Sequence, residues 1–148
     1  MGRFLREEAS RGIGPSEEDR VDDERAIQRL MTRYFHTVDD GAFDELAQLW
    51  AEDAELALRG ETAIGPAAIV AMISALQTPE RRGLHAGVNA IIDVEGDTAR
   101  AVSDFVFMRH EGNPDPLPRF IGRYVDRFVR TPTGWRFRRR EIHFRGPS

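Results

Sequence analysis

The 148-residue chain contains no cysteine and no lysine; its 21 strong cations are all arginine. Without thiols there is no disulfide, zinc–thiolate site, cysteine nucleophile or redox pair. Without lysine there is no amine for Schiff-base chemistry and no lysine general base. No apolar run approaches the ~18–20 residues that cross a bilayer. The opening Met1-Gly2-Arg3-Phe4-Leu5-Arg6-Glu7-Glu8 lacks the apolar stretch of a secretory signal. The expectation is a cytoplasmic protein with no membrane contact. Glycine-rich phosphate loops, serine nucleophile elbows and HExxH pairs are also missing. A net charge of −4 disfavours nucleic acid.

What is present reads as helices followed by strands. Residues 1–15 are polar and broken by Gly12, Gly14 and Pro15, which suggests a flexible N-terminal arm; 16–148 is the expected folded domain. Ser16 and Asp19 make a capping pair, and the acids from Glu17 to Glu24 suit the start of a helix. That helix is predicted to run to about Val38, with Arg25, Arg29 and Arg33 outward. A short helix over Ala42 to Trp50, a strand over Ala54 to Leu58, and a third helix from Pro66 to the Thr78-Pro79 break follow. After Pro79 the apolar period becomes strand-like. Leu84 to Val94 and Thr98 to His110 form a hairpin across Glu95-Gly96-Asp97; Glu111 to Pro118 reads as a loop. Phe120 to Thr131 and Trp135 to Phe144 are the last two strands. Helices first, then sequential antiparallel strands, give an α+β fold with about three helices on one face of a curved sheet.

The most informative local feature is Tyr34 with Asp39 on the first helix. Ile27, Leu30, Met31, Tyr34 and Val38 follow the three–four spacing of a buried stripe. A carboxylate at the end of such a stripe costs free energy unless something pairs with it. His85, in a strand-like segment, is the well-placed candidate. The pair reads as the start of an acid/base site in a pocket, or, more plainly, as a helix-end carboxylate beside an ordinary strand histidine.

These residues and several short motifs resemble the SnoaL-like branch of the nuclear transport factor 2-like superfamily over roughly Val21 to Phe144. The carriers are Tyr34 and Val38-Asp39-Asp40-Gly41-Ala42-Phe43-Asp44-Glu45-Leu46, Leu84-His85-Ala86-Gly87-Val88-Asn89, and Glu95-Gly96-Asp97-Thr98-Ala99. Gly122-Arg123-Tyr124-Val125-Asp126-Arg127 and Gly134-Trp135-Arg136-Phe137 continue the pattern. The resemblance implies a cone: helices on a strongly bent sheet around an apolar pocket, with dimerisation through the outer sheet face. The polar set Tyr34, Asp39, His85 and Asp104 is similar to that of bile acid 7α-dehydratases and, less closely, scytalone dehydratases. It implies a dehydratase-like lyase acting on an apolar cyclic hydroxy-carbonyl compound. A ketosteroid isomerase-like enzyme, a polyketide cyclase and a non-catalytic binding module keep the same pocket. No cofactor is implied.

In the expected mechanism His85, oriented by Asp39, removes a proton beside a carbonyl; Tyr34 stabilises the enolate, and Asp104 assists proton handling. Strand alternation puts Val102, Asp104, Val106 and Met108 on one face and Ser103, Phe105 and Phe107 on the other. If Asp104 faces the cone, the two phenylalanines face outward and need covering by a second copy. A plainer reading pairs Asp104 with Arg123. The expected pocket lining is Val38, Trp50, Leu58, Asn89, Val102, Val106 and Tyr124. His36, His110 and His143 have no nameable partner, and no metal site is expected. The arginines at 136, 138, 139, 140 and 145 read as a solvated strand, with one arginine allowed to reach the pocket.

Overall fold

The computed structural model of the chain describes residues 16–146; the expected N-terminal arm lies outside them. Helix α1, Glu17–Asp40, starts at a capping box: Ser16 Oγ accepts the Asp19 amide at 3.1 Å, and Asp19 Oδ2 accepts the Ser16 amide at 3.3 Å. Its stripe of Ile27, Leu30, Met31, Tyr34 and Val38 is buried, while Arg25, Arg29 and Arg33 are exposed. Helix α2, Phe43–Ala47, is shorter than its sequence suggests, because Trp50 already begins strand β1, Trp50–Leu58. A short strand β2, Glu61–Ile64, precedes α3, Pro66–Leu76, and had no clear signal in its four residues. A single turn of 3₁₀ helix, Pro79–Arg81, leads into β3, Leu84–Glu95. Strands β4, Thr98–Arg109, β5, Leu117–Thr131, and β6, Gly134–Arg145, are the last elements of the described residues. β5 takes in Leu117 and Pro118, expected to be loop; Pro118 sits where the β4–β5 ladder shifts register after Phe107.

The six strands form one curved, unclosed sheet in the order β2-β1-β6-β5-β4-β3. All neighbours are antiparallel except β1 and β6. The core lies between the helices and the inner sheet face, where Ile27, Leu30, Leu46, Ile69, Phe105, Phe128 and Phe137 meet. Register then decides which side chains share that face. His85 pairs with Phe107 and Phe107 with Phe120; Ser103 pairs with Tyr124 and Tyr124 with Ile142. These rows point inward. Val88, Asp104 and Arg123 form an adjacent row and point outward.

That register corrects one expectation. The alternation along β4 is as read from the sequence, but the buried set is Ala99, Ala101, Ser103, Phe105 and Phe107. Asp104, Val102 and Val106 therefore lie on the outer face. The pleat commits the larger aromatic area to the core, and Asp104 finds its partner across the strand pair instead.

Candidate active site

Asp39 stands in the last turn of α1, which Gly41 closes. Gly41 adopts φ 68°, and the following amide, Ala42, donates to the Thr37 carbonyl at 2.8 Å. The helix stops just beyond Asp39, leaving its carboxylate facing the first residues of β3. Asp39 Oδ2 accepts the backbone amide of His85 at 2.9 Å, and Oδ1 lies 2.5 Å from His85 Nδ1. The side chains of His85 and Asp39 are only 9% and 13% exposed. A carboxylate against Nδ1 favours the tautomer with its proton there, which leaves the Nε2 lone pair as the ring's base.

The imidazole is also held by aromatic faces. Phe35 stacks on it with centroids 5.7 Å apart and planes 17° from parallel; Phe107 lies 4.5 Å away. Phe35 reaches this position because residue 87 is glycine: a Cβ there would stand 2.5 Å from Phe35 Cε2.

His85 lines a cavity of about 690 Å³. Its enclosed end is made by Tyr34, Tyr124, Leu56, Ile73, Phe105 and Phe107, all buried. Val38, Leu58 and Met72 extend the apolar wall, and the exposed residues Arg59, Glu61, Leu76, Arg81, Phe120 and Phe144 mark the mouth. Of the expected residues, Tyr34, His85, Val38, Leu58 and Tyr124 thus line one cavity, and Asp39 backs His85. Trp50 does not line it; it packs behind Tyr34 and Phe137, at 6.1 and 4.9 Å. Asn89 belongs to a separate cavity of about 290 Å³ between α1 and β3, where a bulge gives it φ 55°. Val102 and Val106 face away from the cavity. Asp104 does too: Arg123 Nε and Nη2 donate to its two oxygens at 2.7 and 3.2 Å. That partner holds the Asp104 carboxyl below its usual range.

Beneath the enclosed end lies a pair that sequence reasoning left unassigned. Arg140 Nε and Nη2 each donate to Asp126 at 2.8 Å, and both side chains are 0% exposed. The guanidinium carbon sits 3.8 Å from the Tyr124 ring centre, 4.3 Å from Tyr34 and 4.6 Å from Phe137. Its Nη1 is buried without a hydrogen-bond partner among the described residues. Burial opposes the charge on Arg140, but Asp126 more than reverses this, so Arg140 stays cationic. Burial likewise pushes the Tyr34 phenol up, with the Arg140 charge pulling the other way, and pushes Tyr124 well above its ordinary value. Both phenols therefore keep their protons at neutral pH and face the cavity as neutral hydroxyls. The available signal was parity: Asp126 lies two residues from Tyr124 and shares its face.

Among the described residues no three histidine, aspartate or glutamate side chains converge as metal ligands, and no helix is long and apolar enough to cross a membrane. The arrangement can remove and return a proton at Nε2, donate a hydrogen bond from a phenol, and exclude water around an apolar guest.

Comparison with known proteins agrees with this architecture. No curated protein matches the chain in sequence. Among solved structures, an NTF2-like protein with a cystatin-like fold from Novosphingobium aromaticivorans is 35% identical, with a TM-score of 0.77 over 86% of this chain and 85% of that one. A protein from the same organism, provisionally named a scytalone dehydratase, is 28% identical, with a TM-score of 0.75 over 86% and 87%. LinA is 25% identical, with a TM-score of 0.79 over 89% and 92%. A hexachlorocyclohexane dehydrochlorinase of the LinA type from Novosphingobium barchaimii, at 24% identity, shares the fold. Residues 19–141 match the SnoaL-like domain, and the chain belongs to that family, within the NTF2-like fold.

Proposed function

We propose that the chain is a cofactor-independent lyase that eliminates water from an apolar, cyclic hydroxy-carbonyl compound. The observation that carries the reading is the doubly anchored His85: one carboxylate fixes both its backbone amide and its Nδ1, and the ring lines an apolar cavity. Nε2 takes the proton from the carbon beside the carbonyl. The electron pair left behind becomes the new carbon–carbon double bond as the neighbouring carbon–oxygen bond breaks. The departing hydroxide takes the proton back from the imidazolium and leaves as water. Tyr34, kept protonated by burial, donates to the carbonyl oxygen while charge sits on it. Arg140, held by Asp126, stacks under the Tyr34 ring and fixes the position of that phenol.

Elimination is the chemistry named for some of the similar structures, one provisionally a dehydratase and another a dehydrochlorinase, whereas a 27% identical one from Novosphingobium aromaticivorans is provisionally named an aromatic ring hydroxylase. Both eliminations remove a proton and a leaving group from adjacent carbons, which an imidazole base serves without metal or nucleotide. We further propose a homodimer through the outer sheet face, where Val88, Val102 and Val125 are exposed; light scattering tests it.

The catalytic reading is tested by screening cyclic hydroxy-ketones for dehydration by mass spectrometry, then repeating the active substrate with His85→Ala and Asp39→Asn. Each variant is expected to lose about 10²–10⁴-fold in kcat/KM. Full activity in a folded His85→Ala protein would remove the base from the mechanism.

A further inference from the structure

We infer that the guest of this cavity carries an anionic oxygen group at the mouth, held by Arg59, with Arg81 as the second cation lining the same cavity. The inference rests on reading the cavity as the substrate site. Three arginines line it, Arg59, Arg81 and Arg109, against a single carboxylate, Glu61, in a chain whose net charge is −4. Arg109 is already paired with Glu111, a carboxylate it shares with Arg119. Neither Arg59 nor Arg81 has a carboxylate within 4.0 Å among the described residues.

Arg59 is nonetheless held in place. It stands in the tight turn between β1 and β2 with φ 50°, next to Gly60 at φ 81°. Its guanidinium carbon lies 4.5 Å from the Phe144 ring centre and 5.8 Å from that of Phe120. Stacking fixes the plane of the cation yet leaves its edge N–H groups unused, and those edges bind carboxylates, sulfonates and phosphates as a fork. Arg81 comes from a different segment, the 3₁₀ turn, whose Arg81 carbonyl accepts Arg109 Nη1 at 3.4 Å.

An aromatic wall joins this cationic end to the imidazole. Ring centres run from His85 to Phe107 at 4.5 Å, to Phe120 at 6.1 Å, and to Phe144 at 5.6 Å, with Arg59 beyond. A flat apolar body laid along this wall, with its reacting carbon at His85, brings its far end to Arg59. The substrate class is therefore an amphiphile: a ring system with an acidic tail, the tail still partly hydrated at the mouth.

The test uses two fluorescent probes with the same ring body, 8-anilinonaphthalene-1-sulfonate and the neutral N-phenyl-1-naphthylamine, titrated into the full chain at low salt. The sulfonate is expected to bind about tenfold tighter than the amine. In the double variant Arg59→Gln/Arg81→Gln the two affinities should fall within about twofold of each other, with the affinity for the amine unchanged. A carboxylate arm follows displacement of the amine by 2-naphthoate and by its methyl ester; the acid should be the better competitor, and only while both arginines are present. Equal affinities in the wild type, a sulfonate preference that survives the double variant, or stronger competition by the ester would overturn the inference. The readout is independent of turnover: a His85→Ala protein should keep the anion preference. Loss of that preference leaves the acid–base reading standing, and a catalytically silent chain leaves this one standing.

Discussion

Asp126 and Arg140 join β5 to β6 on the inner face of the sheet; Asp104 and Arg123 join β4 to β5 on the outer face. Both pairs are bidentate, at 2.8 and 2.8 Å inside and 2.7 and 3.2 Å outside. Inside, neither side chain meets solvent, and the cation is stacked among Tyr34, Tyr124 and Phe137. Outside, Asp104 is 27% and Arg123 41% exposed. The chemistry is the same, but the environment differs. Water can replace the partner of an exposed ion, whereas a buried ion that loses its partner has nothing to turn to. The inner pair is therefore a structural commitment beneath the site, and the outer pair is close to dispensable for the fold of a single chain.

The largest effect expected from breaking this contrast is at Arg140. Arg140→Met leaves Asp126 buried and unpaired, and should lower stability by about 3–5 kcal/mol in urea unfolding. Adding Asp126→Leu should recover a substantial part of that loss, since it removes the stranded charge. A single variant as stable as the wild type would erase the distinction between the two faces.

A third pair gives an intermediate case. Arg130 donates to Asp23 at 2.9 and 2.8 Å, and Trp135 Nε1 adds a bond at 3.1 Å, tying the start of α1 to the β5–β6 turn. The Arg130 hydrogen bond is the main reason the Asp23 carboxyl titrates below its ordinary value. A depressed carboxyl stabilises the fold above its unfolded pKa of about 3.9, and that contribution fades as pH falls through the lower, folded value. Asp23→Asn should cost about 1 kcal/mol at pH 7, and less as the pH drops below 4. A constant difference between pH 7 and pH 3 would break the assignment. The smallest effect belongs to Asp104→Asn: no change in the urea midpoint of the dilute chain. A loss of stability that depends on protein concentration would place Asp104 in an interface between copies.

The contrast also explains how far the sequence could be read. The helical stripe from Ile27 to Val38, the Ser16 cap and the three long strands after Thr98 were legible, because periodicity and capping are local. Asp39 and His85 were legible as a pair because a half-buried carboxylate needs a partner. Asp104 was misplaced for a specific reason. The plainer reading, a pair with Arg123, is the one the register gives; an apolar neighbourhood does not mark the interior here, because the outer face carries valines of its own at 88, 102 and 125. Alternation reveals two faces without saying which is inside; the aromatic pair Phe105 and Phe107 decides it.

Arg140 was harder still. From Trp135 and Phe137, which are buried, strict alternation points Arg139 inward. The β5–β6 ladder slips by one residue, pairing Phe128 with Phe137 but Arg127 with Arg139. Arg138 is the extra residue, and beyond it the even positions turn inward. A bulge depends on how two strands pair, so one strand's sequence does not announce it.

Asp39 has one further consequence. β3 is the outermost strand on its side of the sheet, and the same carboxylate that orients the imidazole also pins that strand's second residue to the end of α1. Fraying at this border and misalignment of the imidazole are therefore one event. The deuterium uptake of a single amide, that of His85, would count how often the Asp39–His85 pair comes apart, whether or not a substrate is known.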